Sequence, residues 1–337
     1  MIPFKKLPIG EDEKKAVCEV IDSGYLSRGK RVFEFQEMFA DYVGSKYAVG
    51  TQSCTMALMF ALEAKGALNE HIIKIPSMTV PLVAHAIIKM GGIIEWVDEV
   101  DWVGNCYEMK PWKIIDSAHQ VNRNQMKTDG GEIQCFSFYP TKPITSCEGG
   151  AIATDNIDYA EYIESIANYG RVGHETLKNS WEYSIDRIGW KGNMTDMQAA
   201  ICICQLKKLD ELNRARLDIR NYYNYKLHLS NKSLYLYRVM VNNRDGFVKH
   251  MKEQGIECGV HFYPLHRMPV FSKYVSGNKP LPLTEYVADH TVSLPLHTFL
   301  EKKDLDYIVD RLEDWNAANK FCNTDIQDGV VSQAMSG

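Results

Sequence analysis

The chain has 337 residues, 45% of them hydrophobic and 24% charged, so it is long enough to bury a large core and too apolar for a disordered segment. Its 38 Lys and Arg against 43 Asp and Glu leave a net charge of −5, which argues against nucleic-acid binding driven by bulk electrostatics. No apolar run reaches the roughly 20 residues that span a bilayer, and MIPFKKLPIGEDEKK has no secretory apolar region, so a cytoplasmic chain is expected. Nine scattered cysteines without a CxxC pair point to reduced thiols rather than a zinc site or disulfide framework.

In chain order, 11–22 (EDEKKAVCEVID) reads as an amphipathic helix with an acidic first turn, and 32–43 as a second ending near Gly44. A short extended run at 47–50 precedes a strong helix former at 55–64. Strands are expected at 72–75, 93–97, 112–115, 134–138 and 151–153, with a helix near 82–90. The alternation predicts an α/β fold with a largely parallel sheet. A long helix is expected from about Thr195, its N-cap, to Leu229. A strand near 234–241, a helix at 244–254, a strand at 257–262 and a last helix at 302–317 read as a smaller α+β domain. The expected domains are 1–205, 206–318 and a poorly ordered tail, 319–337.

Four stretches ask for chemistry. Ser53-Cys54-Thr55 lies between a strand and a helix, where unpaired N–H groups and the dipole favour an anion such as phosphate. Read alone, it is an ordinary N-cap. Asp116 ends a strand, at the sheet edge where ligands gather, and could hold a cationic ring nitrogen; His119 follows three residues on. Alone, these are a helix cap and a loop histidine. Lys142 follows Phe136-Ser137-Phe138-Tyr139-Pro140-Thr141 and precedes Gly149-Gly150. A desolvated lysine can lose its proton and attack a carbonyl to form a Schiff base; a surface lysine is the alternative. Finally, Lys191, in Gly189-Trp190-Lys191-Gly192, either meets an anion or belongs to a turn before the capped helix. The joint order is more telling than any one of them. Phosphate turn, strand-end Asp, Ser-x-x-x-x-Lys and Gly-Gly is the order needed to hold pyridoxal 5′-phosphate.

With these residues in place, the sequence resembles the DegT/DnrJ/EryC1/StrS family of sugar aminotransferases, over about residues 2–315. The matching stretches include IPFKKLPIGEDE, SGYLSRGKRVFEFQEMFADYVG, IIDSAHQ, FSFYPTKPITSCEGGA, GWKGNMTDMQAA and GIECGVHFYPLH. The resemblance implies the aspartate-aminotransferase-like fold (fold type I) and pyridoxal 5′-phosphate. It implies Lys142 as the cofactor-binding lysine, Asp116 on the pyridine nitrogen and His119 near the ring hydroxyl. It places Ser53, Cys54, Thr55 and Ser137 at the phosphate, with Lys191 reaching there from the partner subunit of a homodimer. Tyr25, Leu26, Ser27, Asn168, Tyr169, His261 and Tyr263 fall on the sugar-nucleotide side. The implied reaction moves an amino group from L-glutamate to a nucleotide-diphosphate-linked keto-deoxy sugar. Alternatives are a sugar dehydratase, a cyclitol or aminobenzoate-type aminotransferase, and a non-catalytic binding relative.

Three positions depart from the family pattern. Val80 stands where many members stack an aromatic residue on the cofactor ring. Ile115 replaces a glutamate before the ring aspartate. The segment between Val97 and Ile114 is much shorter, as if a strand-and-helix unit were deleted, which puts strand order and one pocket wall in question.

Overall fold

The computed structural model describes residues 1–172, 183–277 and 279–319. The chain opens with helices α1 (Glu11–Ser23) and α2 (Lys30–Val43), each stopped by a glycine in the left-handed region, Gly24 and Gly44. Then follow β1 (Tyr47–Thr51), α3 (Cys54–Ala64), β2 (Ile72–Pro76), α4 (Pro81–Lys89) and β3 (Ile93–Val97). The shortened segment forms a three-residue strand, β4 (Tyr107–Met109), before β5 (Ile114–Asp116). Next come α5 (Gln125–Thr128), β6 (Ile133–Ser137), β7 (Gly150–Thr154), α6 (Ile157–Ala167) and the short strands β8 (Arg171–Val172) and β9 (Ser184–Ile185). The remainder is α7 (Asp196–Lys207), α8 (Leu209–Leu227), β10 (Tyr237–Met240), α9 (Arg244–Glu253), α10 (Pro282–His290), β11 (Thr291–Leu294) and α11 (Lys302–Asn319).

The central sheet runs β1-β7-β6-β5-β4, and a bridge from Lys110 to Lys74 carries it on to β2 and β3. Five of these seven strands point one way; β4 and β7 oppose them. The sheet is thus mixed but mostly unidirectional, the α/β architecture expected. β4 answers the question of strand order: the gap between β5 and β2 is filled by a reversed strand held by three residue pairs to β5. Apolar side chains from α3, α4, β2, β3 and β6 form one core, and α2, α7 and the other sheet face form a second. A third gathers α8, β10, α9, β11 and α11.

Three expected elements differ. The helix expected over Thr195–Leu229 is two, α7 and α8, broken at Lys208. Thr195 does cap α7, accepting from the Gln198 N–H while Gln198 answers the Thr195 N–H. The break arises because α7 packs on α1 and α2, whereas α8 packs on α11. Residues 257–262 form no strand: Glu257 pairs with Ile2, Gly259 with Ser293, and the chain then turns toward the site. The short expected strand at 112–115 begins only at Ile114. Of the expected tail, residues 320–337 lie outside the described residues. No described helix is long and apolar enough to cross a membrane.

Candidate active site

The strands deliver their carboxyl ends to one cavity of about 420 Å³. Ser53, Cys54, Thr55 and Val80 line it, as do Asp116, His119, Ser137, Lys142 and His261. These nine come from the β1–α3 turn, the start of α4, the end of β5 and the loop after it, the end of β6 and the β6–β7 loop, and the segment between α9 and α10, so the fold gathers residues about two hundred positions apart.

The phosphate turn is the N-terminus of α3. Ser53 is its N-cap and accepts from the Met56 N–H at 3.3 Å, which leaves the first N–H groups, those of Cys54 and Thr55, without intrahelical partners. Thr51 braces the turn by donating to the Ser53 carbonyl at 3.0 Å. Gly150 on β7 lies directly behind: a Cβ there would sit 2.5 Å from the Cys54 nitrogen. The glycine therefore allows the strand to press against the turn.

Asp116 ends β5, 5% exposed. Burial raises its carboxyl above the ordinary range, opposed by the Ala118 N–H, the Tyr107 hydroxyl and Lys142. The Ala118 N–H donates to Oδ1 at 3.0 Å. A buried carboxylate of this kind calls for a cation in the cavity to hold it ionised. His119 is kept neutral, far below its ordinary pKa, by burial and by the charges of Lys142, Lys5 and Arg238. Its Nδ1 accepts from the Gly104 N–H at 3.2 Å, so its proton resides on Nε2, free to donate. Trp102 stacks on the imidazole at 5.6 Å and 15°. Lys142 follows a tight turn closed by its own N–H to the Tyr139 carbonyl, 2.9 Å. Its Nζ lies 4.8 Å from the centre of the Tyr235 ring. Lys5, half-buried in the N-terminal segment, approaches the same ring at 4.5 Å and donates to the Tyr235 and Leu296 carbonyls.

Other expected residues stand elsewhere in the single chain. Tyr25, Leu26, Ser27, Asn168, Tyr169 and Tyr263 do not line the cavity, and neither does Lys191. Tyr25, Leu26, Tyr263 and Lys191 are exposed, and the Lys191 Nζ lies 5.6 Å over the Tyr169 ring. Sequence reasoning missed Thr79, Trp102, Tyr235 and Phe262, all of which line the cavity. The one signal available for Trp102 was its place in the shortened segment; Tyr235 sits in a run read only as a strand.

The donor set fits pyridoxal 5′-phosphate. A helix N-terminus with hydroxyls suits a phosphate, a buried carboxylate suits a pyridinium and an amine suits an aldehyde. The buried indole N–H of Trp102, at the cavity wall, has no hydrogen-bond partner in the protein.

Known proteins agree with this geometry. The family model described as the DegT/DnrJ/EryC1/StrS aminotransferase family matches residues 8–114 and 99–313. The spore coat polysaccharide biosynthesis protein SpsC of Bacillus subtilis is 28% identical, over 93% of this chain and 96% of its own length. A UDP-4-amino-4,6-dideoxy-N-acetyl-beta-L-altrosamine transaminase of Campylobacter jejuni is 24% identical over the same shares of the two chains. Among solved structures, the aminotransferase TlmJ of Streptoalloteichus hindustanus superposes with a TM-score of 0.81 at 22% identity, covering 95% of this chain and all of TlmJ. The chain belongs to the DegT/DnrJ/EryC1/StrS family and is a pyridoxal-phosphate-dependent aminotransferase.

Proposed function

We propose that this aminotransferase moves an amino group from L-glutamate to a keto-deoxy sugar carried on a nucleoside diphosphate, giving an amino-deoxy sugar nucleotide. The observation that carries the reading is the meeting of Lys142, Asp116 and the α3 N-terminus in one cavity. Support for the sugar comes from the family, whose members act on sugars, and from a transaminase relative named for a UDP-sugar.

When bound, the cofactor supplies an electron sink conjugated to the reacting carbon. The protein supplies the rest. Ser53, Thr55 and Ser137, with the first N–H groups of α3, hold the phosphate. Asp116 accepts from the ring nitrogen and keeps it protonated. His119, protonated on Nε2, donates toward the ring hydroxyl oxygen. The Lys142 amine would hold the aldehyde at rest; once released, it would take the proton from the donor's α-carbon as general base and, as general acid, deliver it to the former aldehyde carbon of the cofactor. Val80, the residue before Pro81 of α4, lines the cavity and would pack an aliphatic side chain on the ring. In this reading Lys191 enters the neighbouring site of a homodimer. The chain works in the cytoplasm, with 1–205 as cofactor domain and 206–318 as the smaller one.

Loading the protein with pyridoxal 5′-phosphate and adding L-glutamate tests the donor. The visible band should fade and 2-oxoglutarate appear in equal amount; adding UDP- and dTDP-linked keto sugars should restore the band with the matching acceptor. If no amino donor changed the band, the catalytic reading would fail. If glutamate worked but only cyclic polyol ketones restored the band, the sugar would be wrong. Lys142→Ala should lose both the visible band and turnover.

A further inference from the structure

We propose that Tyr107, on the reversed strand β4, is the residue that positions the Asp116 carboxylate against the cofactor's ring nitrogen. β4 and β5 pair with Tyr107 directly opposite Asp116. Directly paired residues stand on one face of a sheet, with Cβ atoms about 5 Å apart. Both side chains are buried, at 6% and 5% exposure, so water does not compete for the carboxylate. The Tyr107 hydroxyl lies 3.2 Å from Thr79 Oγ1, and the charge of the facing Asp116 joins burial in pushing its pKa well up. Thr79 and Asp116 both line the cavity.

The chemistry follows from the inventory of protons. A phenol has one O–H; with it directed at the carboxylate, the oxygen accepts from the Thr79 hydroxyl. Burial and the Asp116 charge push the phenol's pKa well up, so it stays a donor at any working pH. A neutral donor orients a carboxylate without neutralising it. A lysine or arginine in that place would compete with the ring nitrogen for the same charge. The segment between β3 and β5 thus serves both ring contacts: its Gly104 N–H sets the His119 tautomer and its Tyr107 holds Asp116.

This inference rests on Lys142 and Asp116 acting on the cofactor as proposed above. The test uses the full chain loaded with pyridoxal 5′-phosphate, and it needs no sugar. A protonated ring nitrogen withdraws electrons and favours proton loss from the conjugated nitrogen at Lys142. Loosening Asp116 therefore moves the pH midpoint of the visible band upward. In Tyr107→Phe we expect a rise of about one unit, the equivalent of one weakened interaction with a charge. Cofactor retention on dialysis should match the wild type. Thr79→Val, which removes the partner of the Tyr107 hydroxyl, should shift the midpoint the same way by less. A Tyr107→Phe protein that holds the cofactor with an unshifted midpoint overturns the proposal. Where Tyr107→Phe fails to fold or load, Thr79→Val decides, and an unshifted midpoint there overturns it equally. A wild-type chain that develops no visible band sinks the Lys142 assignment and this proposal together, so the two failures are distinguishable.

Discussion

Gly150 shows how tightly single residues shape the phosphate turn. The nearest atoms to a Cβ at this position would be the Cys54 nitrogen and the Ser53 carbonyl carbon, both at 2.5 Å. These are backbone atoms at the start of α3, so they cannot swing aside as a flexible side chain would. Gly150→Ala must push the turn away from β7 or bend β7 itself. Overpacking of this sort costs roughly 1–3 kcal/mol, and here the displaced atoms are those that would grip the phosphate. We expect Gly150→Ala to weaken retention of pyridoxal 5′-phosphate about tenfold, measured by equilibrium dialysis, with the fold intact by circular dichroism. Unchanged retention would mean that the α3 N-terminus does not hold the phosphate. Asp116→Ala tests the other end of the ring: the protein should load cofactor yet convert glutamate far more slowly. Near-normal turnover would remove the electron-sink role from this carboxylate.

At the scale of elements, the junction of α1 with α7 and α8 depends on one buried carboxylate. Glu13, 2% exposed, accepts from the Gly10 N–H at 2.8 Å and from Gln205 Nε2 at 2.7 Å, and pairs with Lys208. Burial alone would raise its pKa; the Lys208 ammonium, the Gly10 amide and Gln205 outweigh burial and hold it below the ordinary value of 4.5. A carboxyl lowered in the folded state contributes stability above its unfolded pKa and loses it as pH falls through the lowered value. Glu13→Gln leaves Lys208 without its anion and should cost about 3 kcal/mol at pH 7, read from urea midpoints. The gap to the wild type should narrow steadily below about pH 4.5, the usual value for this group. A gap independent of pH would show that the ion pair does not hold the junction. The same junction marks a limit of what the sequence discloses. Helical periodicity runs through residues 195–229 without interruption, and nothing local signals that its two halves face different partners. α1, α2, α3, β2, β3 and the capped start of α7 were legible because periodicity, caps and glycine stops are local signals. β4, three residues long, is too short to show a period, and α5 is a single turn, whereas β5 was legible from its apolar run into Asp116 with only its start misplaced. Of the cavity lining, Ser53, Cys54, Thr55, Val80, Asp116, His119, Ser137, Lys142 and His261 were legible within motifs, whereas Tyr25, Leu26, Ser27, Tyr263 and Lys191, in equally clear stretches, do not line it. Trp102, Thr79 and Tyr235 were not legible, because an isolated aromatic or threonine reads as core until the sheet brings it to the cavity.

For the whole molecule, the placement of Lys191 decides whether one chain suffices. Its position precedes α7, on the far side of the β1–α3 turn, and Gln52 donates to the neighbouring Gly192 carbonyl at 2.7 Å. Yet Lys191 is exposed and absent from its own chain's cavity. Around it Ile188, Ile185, Tyr183 and Trp190 are exposed, Ile188 at 92%. In the proposed homodimer this apolar surface would be buried against the partner, and each Lys191 would reach its partner's phosphate turn. Complementation tests this directly. A dimer of Lys142→Ala chains lacks the reacting amine in both sites, and a dimer of Lys191→Ala chains lacks the crossing ammonium in both. In a hybrid of the two, one site keeps Lys142 from one chain and Lys191 from the other, while the second site lacks both. Unfolding and refolding an equal mixture makes about half the dimers hybrid by random pairing, each with one complete site of two. The mixture should regain about a quarter of wild-type activity, well above the sum of the separate variants. If Lys191 served its own chain's site, every hybrid would carry two damaged sites and mixing would restore nothing.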